Sequence, residues 1–159
     1  MRWRLDIMEK VKEFRGIKGN LTAFREEVAD VETIGYAGVP GVCTPFAELF
    51  AYAARDKKGI FIPNTDFEKA RELVLTEYGV ELGDVNPYKV DALVLLGGLS
   101  MPKIGAKIED VKKLIDESLK DGGKVIGVCF MDMFRKAGWY EKIDFDCVIN
   151  ADIEGFVVK

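Results

Sequence analysis

Apolar positions along the chain repeat with two periods, and the changes of period mark the elements. Trp3, Ile7, Val11 and Phe14 recur at helical spacing, with Leu5 and Met8 widening the stripe, so residues 2–15 read as a surface-packed helix ending near Gly16. Residues 20–29 (NLTAFREEVA) read as a second short helix. The pattern then changes to a strand at 31–37, which runs into a glycine-rich turn. Thr44 and Pro45 form a helix start, and the helix that follows, FAELFAYAAR, is apolar nearly all round and is expected to be covered on most sides. Residues 59–63 (GIFIP) read as a short buried strand. Thr65 with Glu68 makes a capping box for a helix over 66–78, where Phe67, Ala70, Val74 and Tyr78 share a face. A loop is expected over 79–90.

Residues 91–98 (DALVLLGG) are too continuously apolar for a half-exposed strand and have the character of a central parallel one. A helix is predicted over 107–120, with Ile108, Val111, Leu114, Ile115 and Leu119 on one face. A buried strand follows at 123–130 (GKVIGVCF), then a short helix over 130–137 that stops at Gly138. Strands at 145–149 and 155–158 (GFVV) complete the pattern, the last one on an edge.

Strand and helix alternate, so the expected fold is α/β: one domain over 1–159, with a helical extension at 1–30 and a core at 31–159. That core is a three-layer α/β/α, doubly wound, mainly parallel sheet of flavodoxin-like type with five main strands. In such a sheet ligands bind at the carboxyl ends of the strands, beside the switch point. The loops 38–44, 97–103 and 129–131 should therefore converge.

Composition narrows the chemistry. The chain has 159 residues, 48% apolar and 31% charged, which fits a globular domain. Its net charge of −4, with both signs interspersed, argues against a phosphate-coating nucleic-acid binder, and no apolar run is long enough to span a membrane. There is no histidine, which removes Cys-His and Ser-His-Asp catalysis and every His-ligated metal site. Cys43, Cys129 and Cys147 are an odd number with no metal-ligand spacing, and they fit a reducing cytoplasm. No cofactor is specified.

Two regions could carry function. The loop Gly38-Val39-Pro40-Gly41-Val42-Cys43-Thr44 reads either as a cradle of backbone N–H groups for a small anion, at the start of a helix, or as a tight turn with a capped helix. Cys129 lies between a buried strand and a helix; it reads either as a thiolate favoured by the helix dipole or as a packed core residue. Cys147 alternates with Phe145 and Ile149 and reads as core, while Cys43 is expected to be the more accessible of the two. Glu48 faces either the crevice, where burial would raise its pKa, or solvent, with Arg55 or a lysine as partner. Asp132 serves either the site or the first turn of its helix.

The stretch DALVLLGGLSMP, the helix to Leu119, GGKVIGVCF and the helix ending at Ala137-Gly138 resemble the second half of the class I glutamine amidotransferase-like superfamily, over about residues 31–150. The resemblance implies Cys129 as an elbow nucleophile, an oxyanion hole from Gly98 and the Phe130 N–H, and Glu48 as an acid beside the thiol. Of the family elbow Gly-x-Cys-x-Gly, Gly127 is present but Met131 replaces the second glycine. The whole chain also resembles an uncharacterised protein family of methanogenic archaea, which implies an anaerobic cytoplasm and no assigned activity.

Three readings follow. The first is a domain binding a small anion or nucleotide in the crevice, with Gly38, Gly41, Cys43, Thr44, Gly97, Gly98, Ser100 and Phe130 as contacts. The second is a histidine-free cysteine enzyme using Cys129 with Glu48. The third is a subunit or interaction module, including a homo-oligomer, that buries the 46–54 helix or the terminal strand against a partner.

Overall fold

Two strands that are buried along nearly their whole length lie side by side at the centre of the sheet. In the computed structural model, which describes residues 8–159, β1 (Thr33–Gly38) pairs in parallel with β5 (Val90–Leu96), setting Ile34 beside Ala92 and Ala37 beside Leu95. β2 (Lys58–Pro63) lies outside β1, β6 (Leu119–Phe130) outside β5 and β7 (Cys147–Ala151) outside β6, all parallel. β3 (Arg71–Thr76) and β4 (Gly79–Val85) form an antiparallel hairpin that extends the sheet beyond β2. The order is thus β4-β3-β2-β1-β5-β6-β7.

Helices α1 (Gly16–Glu27) and α2 (Thr44–Ala53) cover one face, where Phe24 and Phe50 meet Tyr36, Val94 and Val128. Helices α3 (Ile108–Ser118), α4 (Met133–Lys136) and α5 (Trp139–Lys142) cover the other, where Leu114, Phe134 and Trp139 meet Leu93 and Leu95. The central strands are buried on both faces, which is why their sequences are continuous apolar runs and not alternating ones. The expected mixed α/β fold, with helices around a mostly parallel sheet, is the observed one. Among the described residues no helix is long and apolar enough to cross a membrane.

Asp91 ties the starts of the central strands together. Its Oδ2 accepts the backbone N–H groups of Glu32 and Thr33, each at 3.0 Å, the Asp91 N–H donates to Thr33 Oγ1 at 2.9 Å, and Lys120 Nζ lies 3.2 Å from Oδ1. Burial alone would raise the carboxyl pKa, but these donors win and hold it at about 2.

Several expectations are corrected. Of the helix expected at 2–15, residues 2–7 lie outside the described residues, and 8–15 are not helical; the helix begins at Gly16, where the other was expected to end. Met8 packs against the core on one face of the sheet and Phe14 against the core on the other, while Val11 is 95% exposed, so the apolar residues of this stretch do not bury one helical stripe together. The helix expected at 66–78 is a single 3-10 turn (Phe67–Lys69) followed by β3, and most of the loop expected at 79–90 is β4. Leu73, Val80 and Leu82 pack on the core with strand alternation, whereas Val74 and Tyr78, expected to share a helical face with Phe67 and Ala70, are exposed. Thr76 Oγ1 closes the hairpin turn, accepting the Tyr78 N–H and donating to the Gly79 carbonyl. The strand expected at 145–149 is shifted to 147–151, and 155–158 pairs with no strand among the described residues.

Candidate functional site

The carboxyl ends of β1, β5 and β6 bring Gly38, Gly97, Gly98 and Cys129 to one edge, as their parallel pairing requires. At its centre the edge is filled by the protein's own side chains. Cys43 is buried against Gly38 and Gly98: a Cβ at Gly38 would collide with the Cys43 side chain, and one at Gly98 with its Sγ. Gly97 is pressed on the other side against Cys129, whose Cβ would lie 2.7 Å from an added Cβ. The Gly97-Gly98 pair thus lets two cysteines, one in the core of each sheet face, approach one strand end. Ser100 is buried and donates its hydroxyl to the Gly97 carbonyl at 2.8 Å.

The loop 38–44 uses several of its own polar groups. The Cys43 N–H donates to the Val39 carbonyl at 2.7 Å, and the Gly41 N–H to Thr44 Oγ1 at 3.1 Å. Gly41 has φ +83°, with open space where a side chain would stand. Cys43 is not the accessible cysteine: it is buried, while Cys147 is half-buried. Burial pushes the Cys43 thiol up, against opposing backbone hydrogen bonds at Val39 and Gly98.

Cys129 is a ladder residue opposite Asn150 and only 1% exposed. Its thiol donates to Asn150 Oδ1 at 3.5 Å, and the same oxygen accepts the Asp132 N–H at 2.7 Å. Burial pushes the thiol pKa up; backbone hydrogen bonds at Phe134 and Met133 pull it down, and the charges of Asp132 and Asp152 raise it further. The net direction is toward a neutral thiol, opposite to the thiolate expected from the helix dipole, because desolvation outweighs the few donors of a four-residue helix. Left-handed backbone falls beyond the cysteine, at Met131 (φ 55°) and Asp132 (φ 60°), and Cys129 itself is not among the positive-φ residues.

Glu48 and Cys129 are not brought together. Glu48 is half-buried on α2, which packs on the sheet face opposite that holding the Cys129 side chain. Phe130, one residue on, faces the α2 side, and its ring lies 4.9 Å from that of Phe46, joining the first turn of α2 to the end of β6. Asp132 precedes α4 and makes a short ion pair with Arg135.

Four polar residues of this edge escaped the sequence reading: Arg135, Tyr140, Asn150 and Asp152. Burial, then the charges of Asp132 and Cys129, raise the Tyr140 pKa, and Asn150 Nδ2 donates to Asp152 Oδ1 at 3.3 Å. The Asp132–Arg135 spacing was a readable signal; the role of Asn150 depends on the β6–β7 register and was not. Cys147 lies away from the edge, where burial, then Glu27, push its thiol to about 12. Among the described residues no group of three or more Cys, Asp or Glu side chains is arranged to hold a metal ion. A depression of about 310 Å³ lies at the opposite, amino end of the strands, lined by Thr22, Arg25, Glu26, Asp56 and Lys57 among others.

Comparison with known proteins gives one consistent result. The profile of a family described as uncharacterized protein conserved in archaea (DUF2124) matches residues 15–154. An uncharacterized protein of Methanothermobacter thermautotrophicus is 70% identical over 152 residues, 96% of this chain and 99% of its own. One from Methanocaldococcus jannaschii is 46% identical over 154 residues, 94% of each chain. The crystal structure of a protein of unknown function from M. thermautotrophicus superposes with a TM-score of 0.95 at 69% identity, covering 96% of this chain and 99% of that one. With relatives this similar over nearly their whole lengths and a profile spanning both faces of the sheet, the chain belongs to the archaeal DUF2124 family.

Proposed function

We propose that the protein is a ligand-binding α/β domain that takes a small molecule with an anionic group at the carboxyl edge of its sheet, and that this sheet is of the flavodoxin-like type. In the parallel part the order β2-β1-β5-β6-β7 supports the flavodoxin-like reading, with the β3–β4 hairpin standing where a crossover helix is usual. The observation that carries the binding reading is where backbone strain is stored. The described non-glycine residues with positive φ are Asn64, Met131 and Asp132, and all three directly follow the carboxyl ends of parallel strands β2 and β6. Such conformations cost on the order of 1 kcal/mol each and cluster at binding sites. Gly41 adds an open stretch of main chain at the end of β1, beside the start of α2, where the helix dipole favours negative charge.

The test is thermal unfolding with a panel of inorganic phosphate, nucleotides, flavins and dicarboxylates. A phosphate-bearing compound should raise the Tm of the wild type by mass action, and the rise should shrink in Gly41→Leu and in Thr44→Val, each compared with its own ligand-free Tm. A panel that leaves the wild-type Tm unchanged overturns the reading.

A further inference from the structure

We propose that the cleft between the end of α2 and the β3–β4 hairpin is a second binding site, for a small neutral molecule that sets a hydrogen-bond acceptor on the Tyr36 hydroxyl and an apolar body against the hairpin. The cleft lies toward the amino end of the strands, so the inference is independent of the site proposed at the carboxyl edge.

The shape of the cleft comes from small residues. Tyr36 and Gly59 form its base, Ala51 and Ala54 of α2 one wall, and Leu75 and Val80 of the hairpin the other. A Cβ at Gly59 would lie 3.3 Å from Tyr36 Cε2, so the bare strand is what lets the tyrosine ring lie across it. Leu75 is paired with Val80 across the hairpin and is 52% exposed, an apolar surface that a ligand would cover. The cavity at the base measures about 20 Å³, room for one water-sized group, and the whole space out to solvent is about 290 Å³. One polar atom therefore fits inside, with the rest of the molecule in the cleft.

The polar group waiting there is a donor. Tyr36 is 1% exposed, and its hydroxyl makes no hydrogen bond with any described residue. Burial is the one influence on its pKa and pushes it up, so the group keeps its proton. Among the described residues the side-chain polar atom that is both sealed in protein and unpaired is Asn20 Oδ1, so the Tyr36 oxygen borders open space, which at this residue is the cavity. A buried hydroxyl left without a partner costs free energy that an acceptor on a ligand would recover.

The charges around the cleft select a neutral occupant. No carboxylate lines it. Arg55 donates Nη1 to the Tyr52 carbonyl at 3.1 Å and lies 4.7 Å from the centre of the Tyr52 ring, and Lys57 Nζ donates to the Ala29 carbonyl at 3.1 Å. Lys58 precedes Gly59 in β2 and so projects from the opposite face of the sheet. An ionised group pressed against Tyr36 would lose its hydration without gaining a free counter-charge, whereas a carbonyl oxygen loses little.

The experiment titrates cyclohexanone into the full chain and follows the leucine and valine methyl resonances by NMR. The Leu75 and Val80 methyls should shift saturably in the wild type and equally in Gly41→Leu, which alters only the carboxyl edge. In Tyr36→Phe the affinity should fall about fivefold, while the Tm without the probe stays equal to the wild-type value or rises. Cyclohexanecarboxylate should bind more weakly than cyclohexanone. A wild type whose Leu75 and Val80 methyls do not move overturns the site, as does equal affinity in Tyr36→Phe. A lower probe-free Tm in Tyr36→Phe overturns it too, because the hydroxyl then serves a structural water. Tighter binding of the carboxylate overturns the neutral class of ligand.

Discussion

Strand β5 and the β3–β4 hairpin are both rich in leucine and valine, yet they live in opposite surroundings. Leu93 and Leu95 are wholly buried between two helical layers, whereas Leu75 is 52% exposed and Val74 points to solvent. Composition does not make this difference; position in the sheet does. Parallel strands need crossover helices, and those helices cover both faces of whatever strand lies at the centre. A hairpin needs only a tight turn, so it can be attached at an edge with one face left wet.

The largest test of that contrast is to cut the same side chain in each place. Leu95→Ala should cost about 3 kcal/mol, a transfer and cavity loss in a rigid site, while Leu75→Ala should cost less than about 1 kcal/mol. Urea unfolding followed by circular dichroism reads both, and equal losses would break the comparison. Next comes the packed edge beyond β5. Gly98→Ala should destabilise by about 1–3 kcal/mol because the new methyl meets the Cys43 sulfur. Combining it with Cys43→Ala should cost less than the sum of the two by at least about 0.5 kcal/mol, and strict additivity would show that the two positions do not press on each other.

The smallest expected effect is electrostatic. Asp91→Asn should lose on the order of 1 kcal/mol at neutral pH, whereas Asp66→Asn, which breaks the exposed pair with Lys69 beside the hairpin, should change stability by less than about 0.5 kcal/mol. The folded pKa of Asp91 is lowered to about 2, below the unfolded value near 4. Its contribution is therefore complete above about pH 4 and is lost as the pH falls toward 2. Thermal unfolding across that window should show a steeper acid decline in the wild type than in Asp91→Asn.

The same contrast explains what could be read from the residues. The central strands were legible because burial on both faces leaves an uninterrupted apolar run, as in DALVLLGG. The hairpin was not, because Phe67, Ala70, Val74 and Tyr78 satisfy a helical spacing while Leu73 and Leu75 satisfy an alternating one, and the Thr65–Glu68 capping signal tipped the balance. Gly79, with φ +121°, was the overlooked sign of a turn. At the carboxyl edge, the convergence of Gly38, Gly98 and Cys129 followed from strand direction alone. That Glu48 and Cys129 stand on opposite faces depends on the parity of β6, and the partnership of Asn150 with Cys129 on its register with β7; neither is written in local pattern.

The Asp91 clip also bears on how the chain comes off the ribosome. Thr33 and Asp91 are 58 residues apart, so β1 obtains its second neighbour only after β2, the hairpin and β5 have all been made. Until then β1 and β2 can associate, with the hairpin growing outward from β2 through local contacts, but the other side of β1 stays an open apolar edge. Closing so long a loop is slow compared with folding a hairpin, and an unsatisfied strand edge is where nascent chains join one another. Slow synthesis between residues 38 and 96 would lengthen this vulnerable interval, and yield of folded protein in the cell should be more sensitive to pauses there than to pauses after β5 is complete.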